Sequence, residues 1–204
     1  MPTPRPHSIV YPSPAKARAM YADGDTGDII RVIMYADRRS GDFIRPEASR
    51  RLQGADQYHT LENIYWFVKR NVEYNPDTPG HEVVRSPGYL FDTATGDCKS
   101  LSIAIGAICR AFGIPYCYRF IRQGGRRNFH HVYVVAFPTD GSATGPVLLD
   151  AVHRTFDSEP SHTAKLDLKP GQRPPASLAG IMDNGNWILP AALLLWLLFA
   201  KKIK

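Results

Sequence analysis

GDCKSLSIAIGAICRAFGIP, residues 96–115, is the stretch that decides how this chain folds. From Cys98 to Phe112 it is apolar almost all round, through Leu101, Ile103, Ala104, Ile105, Ala107, Ile108 and Ala111, and Gly113 with Pro115 ends it. A helix with apolar residues on every side belongs in the middle of a domain, so the pattern predicts a central, buried helix. Gly96 and Asp97 supply a tight approach and a side chain suited to the helix start. Cys98 then falls in the first turn, where free backbone N–H groups and the positive end of the dipole stabilise a thiolate. A sulfur on a helix locked in the core is rigidly aimed. Cys109 within the helix and Cys117 beyond it read as small buried side chains.

Three β-like runs follow, Tyr116 to Arg122, His130 to Phe137 and Pro146 to Val152, separated by the turn-forming GGRRN and TDGSATG. They suit an antiparallel sheet. A thiol nucleophile needs a base brought from elsewhere in the sequence, and His131 is the candidate. If the TDGSATG turn closes symmetrically, Val135 faces Pro146 and His131 falls directly opposite Asp150. Opposed residues point to one face with β-carbons about 5 Å apart. A carboxylate there can accept the ring N–H, fix the tautomer and support the imidazolium. His130 has the other parity and is expected to face away.

Upstream, Asp28 to Arg38 places Ile29, Val32, Ile33 and Ala36 at helical spacing, with Thr26 or Asp28 as cap, and reads as a surface-packed helix. Thr60 to Tyr74 is a second helix, opened by Thr60 with Glu62 or Asn63, its stripe formed by Leu61, Ile64, Tyr65, Val68 and Val72. Between Asn75 and Thr95, prolines and glycines forbid a long regular element and predict a functional loop wrapping the surface.

The segment from about Thr60 to Val152, somewhat under half the chain, resembles the transglutaminase-like superfamily of papain-fold thiol enzymes. The resemblance rests on the ordered set Val72-Glu73-Tyr74-Asn75-Pro76-Asp77, Arg85-Ser86-Pro87, Gly96-Asp97-Cys98, Gly113-Ile114-Pro115, His131-Val132-Tyr133 and Leu149-Asp150. It implies an α+β fold in which a central Cys-bearing helix packs on an antiparallel sheet bearing the histidine and aspartate. It also implies a catalytic triad of Cys98, His131 and Asp150 acting on amides without metal or cofactor. Many relatives place an acidic residue after the nucleophile, whereas Lys99 and Ser100 follow here. An extra cation beside the sulfur favours thiolate. The Cys98 N–H supplies one oxyanion donor, and the choice of a side-chain donor among Tyr89, Asn75 and Asn63 stays open.

At 204 residues, 44% of them apolar, the chain supports one domain of ordinary size with short extensions. The expected division is a proline-rich arm over residues 1–25, the domain over 26–157, a polar linker over 158–184 and a hydrophobic anchor over 185–204. The arm carries five prolines in its first fourteen residues and no apolar signal core, and is expected to stay outside the fold. The three cysteines form neither a disulfide framework nor a zinc cage, which fits synthesis in a reducing compartment. Trp187 to Ala200 is an uncharged run closed by Lys201, Lys202 and Lys204. As helix it rises about 21 Å against a roughly 30 Å hydrocarbon layer, and snorkelling lysines with interfacial Trp187 and Trp196 extend its reach. A membrane-associated tail, in a cell or a virion membrane, is therefore expected, with a buried or partner-docked helix as the alternative.

These features point first to a membrane-tethered thiol amidase, peptidase or acyl transferase acting on a protein or peptide substrate. The first alternative is a non-catalytic relative, such as a membrane-associated virion component contacting neighbouring subunits. The second is a basic membrane-surface or nucleic-acid binder, although the net charge of +6 is dispersed and no nucleic-acid module is present.

Overall fold

The first turn of the central helix, α4 (Cys98–Ala111), is closed by Asp97, whose carboxylate accepts from the Ser100 amide at 3.2 Å. Every α4 residue from Cys98 to Cys109 is buried. Its exit turns on Gly113, whose φ of 66° lies in the left-handed region, and the Ile114 N–H closes back on the Cys109 carbonyl at 3.0 Å. In this computed structural model, residues 5–6, 9–10, 20–22, 26–45, 50–78, 82–126 and 128–173 are described.

Three further helices surround α4: α1 (Thr26–Ser40), α2 (Gln57–Asn71) and the short α3 (Pro87–Thr93). Among the strands, β1 (Met20–Ala22) pairs antiparallel with β3 (Glu82–Val84), and β2 (Glu73–Tyr74) pairs parallel with β4 (Thr95–Gly96). The main sheet is antiparallel and holds β5 (Tyr116–Arg122), β6 (His131–Ala136), β7 (Val147–Leu149) and β8 (Ala164–Leu168) in the order β7-β6-β5-β8. Strand alternation divides it cleanly. Tyr116, Tyr118, Phe120, Val132, Val134 and Ala136 join the main core with α4, while Cys117, Ile121, Tyr133 and Val135 form a smaller apolar cluster on the other face. The architecture is thus α+β, a buried helix on an antiparallel sheet.

Close approach of α4 to the sheet depends on Gly106. A β-carbon there would lie 2.6 Å from the Tyr118 hydroxyl and 2.7 Å from the Tyr116 ring. Both tyrosines donate to Asp37 Oδ1 of α1 at 2.6 Å, and the Arg110 guanidinium pairs with the other carboxylate oxygen. Asp37 is fully buried, and this cluster fastens α1, α4 and β5 together. α1 is therefore more than a surface helix.

Several expectations are corrected. The 1–25 arm does not lie wholly outside the fold: Ile9 and Val10 are buried, Val10 bridges to Ile44, and β1 pairs with β3. Two apolar residues next to a turn can enter a core whatever the proline count around them. The 158–184 stretch is not all linker, because β8 extends the sheet and Arg119 on β5 binds Asp167 on β8 through two 2.7 Å hydrogen bonds. The broken segment after Asn75 contains α3, since Pro87 stands at the helix start behind the Ser86 cap, where its missing N–H costs nothing. α2 begins earlier than Thr60, at the Asp56 cap, and ends before Glu73. The expected anchor at 185–204 lies outside the described residues. Among the described residues, no helix is long and apolar enough to cross a membrane.

Candidate active site

Cys98, His131 and Asp150 come together at the N-terminal end of α4. Cys98 is 8% exposed, brought in by β4 and the Asp97 cap. His131 opens β6, and its Nε2 lies 2.6 Å from Asp150 Oδ2. The Cys98 side chain lies near enough to the ring for its charge to favour the imidazolium. With Nε2 turned to the carboxylate, Nδ1 is the nitrogen left for the sulfur. Asp150 is 3% exposed, and its second oxygen accepts from the Val152 amide at 3.1 Å.

The hairpin register differs from the symmetric expectation. Val135 faces Leu148 and not Pro146, a shift of two residues, so the ladder extended past β7 sets Asp150 opposite Tyr133. A shift of two preserves parity, and Asp150 becomes the diagonal neighbour of His131 on the same side. Parity is thus unchanged, but Asp150 lies beyond the last paired residue of β7, and the turn that follows the strand carries the contact. His130 is exposed, with its Nε2 3.3 Å from Gln123 Oε1, and points away as its parity requires.

Burial disfavours the charged His131 ring, but hydrogen bonds and charge from Asp150 and Cys98 outweigh it and push His131 up to about 10. The sign of the linkage follows. A folded value above the ordinary 6.5 gives stability that is complete below pH 6.5 and lost as pH rises to about 10. Relative to a His131→Gln variant, the wild type is expected to lose about 4 kcal/mol of unfolding free energy across that window. Urea unfolding at pH 6, 8 and 10 measures this, and a constant difference would refute it. The other thiols are suppressed by burial, Cys109 pushed up to about 12 and Cys117 to about 11.

Lys99 does not act as a free cation beside the sulfur. Its ammonium sits among Asp97, Glu82 and Asp77, the last at 3.1 Å; burial disfavours its charge, but the charges of Asp97 and Cys98 and the hydrogen bonds to Asp97 and Glu82 outweigh it and hold its pKa above the ordinary lysine range. These three carboxylates lie within 4.8 Å of one another and form a set able to hold a metal ion; Lys99 is the cation among them. Val83 N–H also donates to Asp77 at 2.7 Å, so the lysine ties the segment around β3 to the turn that carries Cys98.

Of the oxyanion candidates, Asn63 donates to the Leu52 carbonyl at 3.2 Å and is engaged away from the sulfur. The Asn75 N–H bonds the Gly96 carbonyl at 2.9 Å, and Tyr89 stands in α3. The sequence reading missed Tyr74, which pairs with Gly96 in β2, is 42% exposed, and is raised by burial and by the charge of Cys98. It also missed Lys69 and Tyr65 beneath Asp150. A lysine and a tyrosine one turn apart beside an apolar stripe were the available signal.

The family model of the transglutaminase-like superfamily matches residues 47–142, a span that holds Cys98 and His131 and ends before Asp150. These residues form a transglutaminase-like domain. Among solved structures, the chain is similar to a "Putative Cysteine Protease" from Cytophaga hutchinsonii, at 17% identity and TM-score 0.36, covering 63% of this chain and 39% of that one. A "putative protease" from Parabacteroides distasonis is similar at 11% identity and TM-score 0.39, covering 66% and 31%. The chain thus spans well under half the length of either. No curated protein matches it.

Proposed function

We propose that the transglutaminase-like domain is a thiol-dependent amidase or peptidase, with acyl transfer to an amine as the same chemistry resolved by a different acceptor. The Cys98 sulfur attacks the amide carbonyl, and the Cys98 backbone N–H, in a turn where the helix offers it no acceptor, faces the developing oxyanion. The imidazolium of His131 gives its proton to the leaving nitrogen as the C–N bond breaks, leaving a thioester and a neutral ring. The ring then takes a proton from water or an incoming amine, whose attack releases the acyl group and returns the thiolate–imidazolium pair. Asp150 holds the ring by Nε2 throughout. The reading is carried by one observation: an imidazole bonded to the buried Asp150 carboxylate lies beside a cysteine in the first turn of a buried helix, close enough to feel its charge.

Iodoacetamide at pH 6, followed by peptide mapping, tests it. Carboxamidomethylation of Cys98 is expected to run at least about tenfold faster than at Cys109 or Cys117, because a thiolate supported by an imidazolium reacts where neutral buried thiols do not. Equal modification of the three cysteines, or sparing of Cys98, would count against a nucleophile.

A further inference from the structure

The mechanism requires Asp150 to stay fixed under His131, yet Asp150 lies just beyond β7 in a turn with no ladder to hold it. Part of the turn is held by itself: Asp150 Oδ1 accepts from Val152 N–H, and the Asp150 carbonyl accepts from His153 N–H at 2.9 Å. The next three carbonyls are taken by one helix. Lys69 Nζ donates to the Ala151 oxygen at 2.8 Å and reaches the Val152 oxygen at 3.5 Å, while the Tyr65 hydroxyl donates to the His153 oxygen at 2.7 Å. Residues 65 and 69 are one turn apart on α2 and so face the same side.

The C-terminal end of α2, just beyond Lys69, leads on to the approach of Cys98. After Val72 the chain enters β2, which pairs with β4 at Glu73↔Thr95 and Tyr74↔Gly96, two residues before Cys98. A single helix therefore supports both the nucleophile's approach and the carboxylate's turn. Resting on the triad reading above, we infer that Lys69, aided by Tyr65, is a positioning residue that sets the Asp150 carboxylate, and through it the His131 ring, relative to the sulfur. An Asp150 turn without these donors would lose three partly buried hydrogen bonds and let the carboxylate drift. Small displacements of a supporting group are enough to weaken a site of this kind.

The test is the pH profile of Cys98 alkylation by iodoacetamide, from pH 5 to 9, in the full chain. The charged and titratable groups around Cys98, His131 and Asp150 are Lys69 and Tyr65 from α2 with Arg154 beyond them, Tyr74 from β2, Asp97 and Lys99 beside the sulfur, and His130 next to the ring. Lys69→Met is expected to slow Cys98 alkylation about tenfold near pH 6 and to displace the profile towards alkaline pH. Lys69→Arg keeps a cationic donor and is expected to recover most of the rate. Tyr65→Phe removes one oxygen with the packing intact and is expected to slow it about threefold. Asp150→Asn separates the outcomes. If it alkylates like wild type, the triad reading fails and this inference falls with it. If Asp150→Asn is slow while Lys69→Met and Tyr65→Phe keep the wild-type profile, the positioning role alone is overturned. A lowered melting temperature with an unchanged profile, or no recovery with Lys69→Arg, also overturns it.

Discussion

Asp37→Ala is expected to cost about 4 kcal/mol of folding free energy and to lower the melting temperature by about 10 °C. The reason is the company the carboxylate keeps. Asp37 is fully buried and receives two tyrosine hydroxyls and the Arg110 guanidinium, and its own backbone carbonyl accepts a further Arg110 N–H at 2.8 Å. Truncation leaves two buried hydroxyls without their acceptor and a cation without its counter-charge, the costly way to break such a cluster. Nor can the tyrosines relocate, because Gly106 lets α4 approach so closely that their rings are confined. Thermal unfolding followed by circular dichroism decides the matter; a shift under about 2 °C would show that the cluster is incidental.

His131→Ala is expected to slow Cys98 alkylation at pH 6 about a hundredfold. An unassisted thiol, with an ordinary value near 8.5, is ionised to only about one part in 300 at pH 6, and the greater intrinsic nucleophilicity of such a thiolate recovers a part. Asp150→Asn is expected to slow it about tenfold, since an amide can still hold the ring but no longer compensates its charge. Alkylation rates at pH 6 and pH 9 make the comparison: the deficit should shrink at pH 9, where an unassisted thiol ionises anyway. A deficit equal at both pH values would mean that His131 acts by shape and not by charge.

Much of this site could be read from residues 96–150 because its signals are local. The uninterrupted apolar run after Gly96-Asp97-Cys98 admits little but a buried helix, and the alternation of β6 and the segment after it places His131 and Asp150 on one side. That conclusion outlasts a two-residue error in hairpin register, as parity is unchanged. What escaped has a different physical origin. β8 is five residues of weak alternation, Ala164 to Leu168, in a polar stretch, and what secures it is Arg119, some 48 residues away. Ile9 and Val10 owe their burial to Ile44 and the core behind it. Lys99 looked like a charge offered to the sulfur, and only the return of the chain through Asp77 and Glu82 reveals where that charge goes. Asp37 is a polar residue on a helix, and nothing in its immediate neighbourhood distinguishes it from a solvent-facing one.

The supports of the carboxylate bridge 82 and 88 residues of sequence, from α2 to the turn after β7. Closures of that span come late in folding, because the entropy of joining distant segments must be met before the contacts reward it. A growing chain that has released Cys98 from the ribosome but not yet Asp150 carries its sulfur without the completed relay. On the reading proposed above, the thiol is thus born unarmed, and it is armed only when the turn after β7 docks on α2.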